Sequence, residues 1–526
     1  MTSPQHWQEA ERAYRAGRHE QARALYTELA VHPAYAAHAR FRLLELDYNA
    51  GALRRATAEF LQLHPKLTTE PTLLAAACRL AFQLGETRLA LASAESLLDA
   101  GAPVPLLAQT AMLLSDWMEP RACLRLLAGA RHRGLPRTAG AAYLEGLNAM
   151  YLGDLDHAAR MLQEALDLDP NFVPTYWAHA KLRRADRRSE RIDYLRKLHK
   201  TLGEAHADTP LVLYSLFQEL DANDDIQHAW PVLCEAVRTR RAQVRHSEAD
   251  ECALFQSAAD GIRRWAATDP VAPGSHTSGP RPIMIVGLPR TGTTVVEQSL
   301  CREYSVVAAG ELRDFVFQMR WSVDLPGPPH PDPALMGALG DPQLAEVGNR
   351  YLHHTQWRAG GADAYIDKWP ENYLIAAAAL ASIPSLRVLA LRRGAMDACW
   401  SNLKEWFGNS YYYSYEFEAV ARRWVRYDML VELLQASFPE RVLIVNYEEF
   451  VAAPSGMAAK LAGWLSLPER EFARTGSDAV VATASTVQVR QGVSTRHVEQ
   501  WRRYAQYLAP LEAEVERAQR QLSKEA

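Results

Sequence analysis

Gly287-Leu-Pro-Arg-Thr-Gly-Thr-Thr294 is the stretch of this 526-residue chain whose residue types and spacing best suit the holding of an anion. Before it runs Pro282-Ile-Met-Ile-Val-Gly, which reads as a buried strand, and after it Val295-Val-Glu-Gln-Ser-Leu, which reads as a helix. A strand, a glycine-containing turn and a helix N-terminus aim free backbone N–H groups and the positive end of a helix dipole at one spot. Gly287 and Gly292 have the spacing of a nucleotide-binding P-loop, but Thr293 stands where its lysine should be and Arg290 lies inside the loop. An anion cradle of this composition points away from ordinary ATP chemistry.

Three further segments carry polar residues just after apolar runs, the place where ligands bind in open α/β sheets. The first is Ala308-Ala-Gly-Glu-Leu-Arg313. A carboxylate at Glu311, beside an anion cradle, is repulsive unless it has a task such as taking a proton; the other reading is a first-turn glutamate of a helix. The second is Tyr365-Ile-Asp-Lys-Trp-Pro-Glu-Asn-Tyr373, where Pro370 is expected to begin a helix. Lys368 there either stabilises charge on a transferring group or its leaving oxygen, or is a surface lysine. The third runs from Leu386 through Arg392 and Arg393 to Ser401, eight residues beyond Arg393 in the next helix. The planar fork of an arginine suits phosphate, and Ser401 adds a hydroxyl, so a second, separate phosphate site is expected here. The run Arg441-Val-Leu-Ile-Val-Asn-Tyr ends at Glu448 and Glu449, acids that a kinase or NTPase reading would use.

Two separated phosphate sites, no P-loop lysine and an isolated glutamate give the chain its likeness to a family. It resembles the sulfotransferases that use 3′-phosphoadenylyl sulfate (PAPS), over about residues 282 to 510 and with the motifs in the family's order. It looks most like bacterial sulfotransferases containing tetratricopeptide repeats, and its motif spacing is similar to that of tyrosylprotein sulfotransferases. The resemblance implies that Arg290, Thr291, Gly292, Thr293 and Thr294 hold the 5′-phosphosulfate, and that Arg393 and Ser401 hold the 3′-phosphate. It implies Glu311 as general base, with Lys368 and Arg290 stabilising the transferring sulfuryl group. Tyr447 is expected on the nucleotide. Ser485 to Ser494, with Ser485, Gln488, Val489 and Arg490, resembles a late loop folding over it, with Ser485 near the sulfonate; Trp501 also fits. Two positions depart from the pattern: Gln500 replaces a lysine, and Glu405, with Lys404 beside it, replaces an arginine. Arg490 or Arg496 is expected to compensate. No metal is implied. Trp406 to Tyr415 is dense in aromatics and either lines a pocket for a phenol or tyrosine, with Trp406 and Tyr411, or packs on the sheet. Arg313 is a candidate for holding acidic residues that flank a target tyrosine.

The elements that must position these residues have their own signals. Gly17, Gly51, Gly85 and Gly153 fall on a period of 34, with one step skipped at Glu119. Ala22, Ala56, Ala90 and Ala158 follow five residues later, Leu124 standing in the skipped register; Tyr14, Tyr48, Phe82 and Met150 precede by three. This is a helix–turn–helix repeat resembling the tetratricopeptide repeat, in which the glycine makes the turn and the small alanine lets two helices approach. From about 172 to 266 helical patterning continues without a clean register. Such arrays stack into a solenoid, here either a groove for a peptide or protein acceptor or a scaffold. Residues 268–281, rich in Pro, Gly and Ser, read as a linker. Beyond them the runs IMIVG, ADAYIDK, LRVLALRR and RVLIVNY alternate with helical stretches, which predicts a parallel sheet covered by helices.

The expected fold is therefore α + α/β: a helical repeat domain over 1–267, a linker over 268–281 and a P-loop-like sulfotransferase domain over 282–526. The 58 Lys and Arg against 62 Asp and Glu leave no basic footprint for nucleic acid. Neither an apolar run long enough to span a membrane nor a signal peptide is seen. The six scattered cysteines read as free, buried thiols of a cytoplasmic protein. The function expected is sulfuryl transfer from PAPS to an acceptor hydroxyl, of a peptide or protein tyrosine or of a phenolic small molecule. The alternatives are a repeat scaffold that senses the desulfated nucleotide adenosine 3′,5′-bisphosphate (PAP) without catalysis, and a nucleotide kinase or NTPase.

Overall fold

The computed structural model describes residues 3–67, 70–267, 279–470 and 494–525. From Ser3 to Ala266 the described chain is helical. Ser3–Arg15 pairs with His19–Leu29, Ala36–Asn49 with Leu53–Leu63, and Pro71–Gln83 with Thr87–Asp99. Val104–Asp116 pairs with Pro120–His132, Ala139–Leu152 with Leu155–Leu168, and Thr209–Ala222 with Ile226–Gln243. Each of these turns closes in the same way. A residue in the left-handed region (Gly17, Gly51, Gly85, Met118, Gly153, Asp224) donates its N–H to the carbonyl three residues back. The next N–H reaches five back: Arg18 to Ala13, Ala52 to Asp47, Glu86 to Ala81, Glu119 to Leu114, Asp154 to Ala149, Asp225 to Leu220. This double closure caps the orphan carbonyls at a helix end. Five residues after each left-handed residue stands a small, fully buried side chain: Ala22, Ala56, Ala90, Cys123, Ala158, Ala229.

Two sequence expectations are corrected here. The repeat is not skipped near 119; the turn comes one residue early, at Met118, so the small residue at the helix crossing is Cys123 and not Leu124. The stretch after 172 contains the same turn at Asp224, hidden because aspartate replaces the glycine. Of the six cysteines, all without disulfides, Cys78, Cys123, Cys301 and Cys399 are buried, whereas Cys234 and Cys252 are exposed. Among the described residues no helix is long and apolar enough to cross a membrane.

The chain forms two compact units that cut across the boundaries suggested by composition. One comprises residues 1–136 and 313–354. In it the helix Asp314–Ser322 lies on the hairpins: a Cβ at Gly85 would meet Phe317 Cβ at 2.9 Å, so the glycine also clears space for that ring. Asp324 accepts from the Arg54 N–H at 2.9 Å, and the guanidinium groups of Arg54 and Arg350 lie over the Trp321 ring at 4.6 and 3.7 Å.

The other unit comprises residues 137–312 and 355–526 and contains the sheet. Strands β1 (Arg281–Gly287), β2 (Val306–Gly310), β3 (Ala364–Asp367), β4 (Arg387–Arg392) and β5 (Val442–Asn446) are all parallel, in the order β2-β3-β1-β4-β5. The nearly continuous burial of β1, β3 and β4 is what parallel strands covered on both faces require. β2 was not among the four strand runs read from sequence; its residues Val306-Val-Ala-Ala-Gly form a half-buried edge. The helix Glu248–Ala266 is tied to the helix Phe417–Ser437 by ion pairs: Arg422 to Glu248 at 3.2 Å and Arg423 to Glu251 at 3.5 Å.

Candidate anion-binding and proton-transfer site

The chain leaves β1 toward β2 on one side and leaves β4 toward β5 on the other, so the C-terminal ends of β1 and β4 flank the crevice where open α/β sheets bind ligands. The loop after β1 enters the helix Thr293–Glu303 through two left-handed residues, Arg290 (φ +67°) and Gly292 (φ +104°). A non-glycine residue in that region costs about 1 kcal/mol or more and persists where its surroundings over-determine it. Here they do. The Thr291 hydroxyl donates to the Leu288 carbonyl at 2.7 Å, Asn402 Nδ2 to the Pro289 carbonyl at 2.8 Å, and Arg393 Nη1 to the Arg290 carbonyl at 2.9 Å. Gly292 is required for space as well as for φ, because a Cβ there would stand 2.3 Å from the Tyr447 ring.

Glu311 follows β2 directly and the next helix begins only at Asp314, so it is not a first-turn residue. Lys368 follows β3 and is 1% exposed, which removes the surface-lysine reading. Its Nζ donates to Glu311 Oε1 at 2.9 Å. The two strand ends are locked in register: the Lys368 N–H donates to the Gly310 carbonyl at 2.9 Å, and Asp367 Oδ1 accepts the Leu312 and Trp369 N–H groups, each at 3.2 Å. Burial pushes the Lys368 ammonium toward neutrality, but Glu311 and Glu297 outweigh it and its pKa is raised. The lysine therefore stays charged beside a carboxylate that is itself partly open to solvent.

Arg393, 6% exposed, spans the crevice. Besides the Arg290 carbonyl it donates to the His497 carbonyl, lies 3.7 Å from Asp397, and sits over the Tyr447 ring at 4.7 Å. Asp397 accepts the Glu499 and Trp501 N–H groups at 2.5 and 3.2 Å, drawing the chain from Ser494 onward against the β4 end. Ser401 is buried in the helix Ala395–Leu403 that starts from this arginine. Lys404 donates to Gln500 at 3.4 Å. Burial lowers the pKa of Arg290, Lys181, Lys404 (to about 8) and His497 (to about 4); neighbouring cations add to the fall, while Glu405 opposes it at Arg290 and Lys181 and Asp221 opposes it at Lys404. Cations that discourage one another's charge form a pocket of positive potential suited to a polyanion.

The structure thus brings together Arg290, Thr291, Gly292, Thr293, Thr294, Arg393, Ser401 and Tyr447 around the β1 and β4 ends, and Glu311 with Lys368 at the β2 and β3 ends. Other residues singled out from sequence have different surroundings. The Trp406 ring is covered by Arg240 at 4.7 Å and by Tyr214 at 5.7 Å. Tyr411 is itself left-handed (φ +54°) and packs on Phe407 at 5.0 Å, with burial raising its pKa well above the ordinary value. Arg313 begins the segment assigned to the other compact unit, where its guanidinium lies 5.9 Å over Trp117. Ser485, Gln488, Val489 and Arg490 fall outside the described residues. Arg496 donates to the neighbouring His497 ring at 3.3 Å. Asp367, Asn402, Asp397 and Lys181 were not singled out. Asp367, an acid inside an apolar strand, carried a readable signal; the others owe their place to tertiary packing. Glu448, a candidate for kinase chemistry, accepts the Gly394 N–H at 3.0 Å. Among the described residues no three His, Cys, Asp or Glu side chains converge as a metal site would need.

Residues 282–471 match the model of the sulfotransferase family. A protein of Aquifex aeolicus (strain VF5), described as uncharacterized, is 22% identical over 369 residues, which are 68% of this chain and 48% of that protein. The chain thus spans about half the length of the curated relative it matches. Two solved structures are similar. One is a sulfotransferase domain from the curacin biosynthetic pathway, at 15% identity over 47% of this chain and 98% of that one, with a TM-score of 0.29. The other is the sulfotransferase STF1 of Mycobacterium tuberculosis H37Rv, at 14% identity over 62% and 97%, with a TM-score of 0.25. The match begins one residue inside β1 and runs past β5, so the segment that holds all five strands, residues 282–471, is similar throughout to the sulfotransferase family.

Proposed function

We propose that the protein transfers the sulfuryl group of PAPS to an acceptor hydroxyl, with Glu311 as the group that takes the proton. The observation that carries this reading is the Glu311–Lys368 pair, 2.9 Å apart and fixed by the Asp367 bridge between two strand ends. PAPS supplies the sulfuryl group and a phosphate leaving group. The residues present fit it: a cation-rich crevice, a helix N-terminus at Thr293 and a loop too tight for any side chain at position 292. Arg290 to Thr294 hold its 5′ end, Arg393 and Ser401 its 3′-phosphate, and Tyr447 lies along the nucleotide. Ser485, Gln488, Val489 and Arg490, outside the described residues, remain candidates for the nucleotide by the resemblance alone.

The chemistry asked of the protein is positioning and charge stabilisation. Glu311 Oε accepts the hydroxyl proton of the acceptor as the acceptor oxygen becomes nucleophilic. The Lys368 ammonium, buried and held charged chiefly by Glu311, stabilises negative charge on the transferring group together with Arg290. The acceptor is a tyrosine or another phenol. Trp406 and Tyr411 are the aromatic candidates for its ring, Arg313 a candidate for acidic flanking residues, and the helical repeats a docking surface for a peptide or protein acceptor.

Glu311→Gln keeps the shape of the site and removes the base. Turnover with PAPS and a phenolic acceptor should fall by roughly 10²–10⁴-fold, while calorimetry should show PAP binding retained. Unchanged turnover would eliminate Glu311 as the base, and absence of PAP binding by the native protein would eliminate the donor assignment.

A further inference from the structure

In the unit that holds the sheet, the helix Val173–Lys181 ends against the crevice. Lys181 Nζ donates to Glu405 Oε1, and the other oxygen of Glu405 stands 3.6 Å from Arg290 Nε. All three side chains are nearly out of solvent, at 12%, 4% and 9% exposure. A single buried carboxylate therefore lies between the loop arginine and a lysine brought in by the helical half of the chain. Glu405 is held there from the same direction. The Tyr214 hydroxyl donates to the Leu403 carbonyl at 3.1 Å and Gln218 to the Lys404 carbonyl at 2.9 Å. The two residues share the helix Thr209–Ala222. The remaining charges at this end are Arg393, paired with Asp397, and Lys404, which feels Asp221 most strongly among the acids. Asp221 is in turn engaged by Arg503 at 2.9 Å and Arg183 at 3.4 Å.

A buried carboxylate beside the arginine of an anion loop has a definite cost for ligand binding. It attracts Arg290 when the crevice lacks another anion and repels any anion that arrives. Lys181 has the opposite effect on the same ligand. We propose that Glu405 is a built-in anion that holds Arg290 and competes with the anionic end of the sulfuryl donor, and that Lys181 is a donor-binding cation contributed by the helical region. The inference rests on the donor reading given above. It makes the helical half part of the nucleotide site. It also fixes signs. Removing the Glu405 charge strengthens polyanion binding, removing the Lys181 charge weakens it, and removing both returns affinity close to the native value. A pair that served only to brace the fold would weaken binding whichever partner was changed.

The test is calorimetric titration of the full-length protein with PAP and, separately, with inorganic pyrophosphate. The variants are Glu405→Gln, Lys181→Met and the double variant, whose buried charges are removed together so that neither is left unpaired. A unit charge about 10 Å from the charge of the ligand, at an effective dielectric of about 20, is worth on the order of tenfold in affinity. PAP binding about tenfold tighter in Glu405→Gln, about tenfold weaker in Lys181→Met, and near native in the double variant is the expected result. Weaker binding in Glu405→Gln overturns the proposal and makes Glu405 a brace for Arg290; unchanged binding in Lys181→Met overturns the role of the lysine. If Lys181→Met does not fold, the sign seen in Glu405→Gln and the recovery in the double variant decide. A native protein that ignores PAP but shows the pattern with pyrophosphate sinks the PAPS assignment and keeps the charge arrangement. One that binds PAP without the opposed signs keeps the assignment and sinks this inference, and one that binds neither ligand sinks both.

Discussion

Glu297 shows what the site does to a single ionisable group. It lies in the helix Thr293–Glu303, 1% exposed, and neither of its oxygens has a hydrogen-bond partner of good geometry among the described residues. Burial raises its pKa from 4.5 to about 7, with Glu311 and Asp367 adding to the rise and Lys368 opposing it. One turn on, Cys301 is raised by burial and then by Glu297 itself. The sign of the linkage follows. Between pH 4.5 and about 7 the unfolded chain gives up this proton while the folded chain keeps it, so stability falls as pH rises through that window and stays lower above it. Glu297→Gln removes the titration. Its melting temperature relative to the native protein should be higher by a few degrees at pH 8 than at pH 5; equal differences at both would show Glu297 ionised throughout. Arg290, Lys368 and Arg393 were legible in the sequence because each is a polar residue just after an apolar strand run, and Glu311 because it is a carboxylate close along the chain to an anion loop. Lys181 and Asn402 were not, since they reach the crevice from helices whose local pattern is that of any amphipathic segment.

The elements show the same division between local and tertiary information. The hairpin turns were readable wherever glycine marked the left-handed position and alanine followed five residues on. The turns at Met118 and Asp224 have the same hydrogen bonds without the marker residue. Their register is set by helix packing around Cys123 and Ala229, which no glycine count reveals. Met118 therefore carries a steric cost that its glycine counterparts avoid. Met118→Gly should stabilise the full chain by about 1 kcal/mol in denaturant titration, the left-handed penalty of about 1–2 kcal/mol less the greater unfolded-state freedom of glycine. A loss of stability would mean that the methionine side chain contributes packing worth more than the strain. Four of the five strands were legible as apolar runs; β2 was not, because Val306-Val-Ala-Ala-Gly is short and half-exposed at the edge of the sheet. What makes β2 a strand is β3 beside it, and the Asp367 bridge that delivers Glu311 is a product of that pairing.

For the whole molecule, composition suggests a cut between 267 and 282, whereas the compact units exchange segments: residues 313–354 belong with the first hairpins, and residues 137–266 with the sheet. Residues 282–526 expressed alone should then lack a cooperative thermal transition, although they contain every strand. A sharp transition that PAP moves upward would instead make the compositional boundary the folding boundary. The parallel order of the sheet bears also on events during synthesis. Each hairpin joins neighbours along the chain and can form as soon as its second helix has emerged. β1 has no partner until Ala364–Asp367 and Arg387–Arg392 have been made. Through that interval an apolar strand and the anion loop behind it are carried unpaired on a nascent chain whose helices are already built. Non-local pairing of this kind is slow and exposes sticky surface. β1 is therefore the strand with most opportunity for off-pathway contacts while the rest of the sheet is still being made.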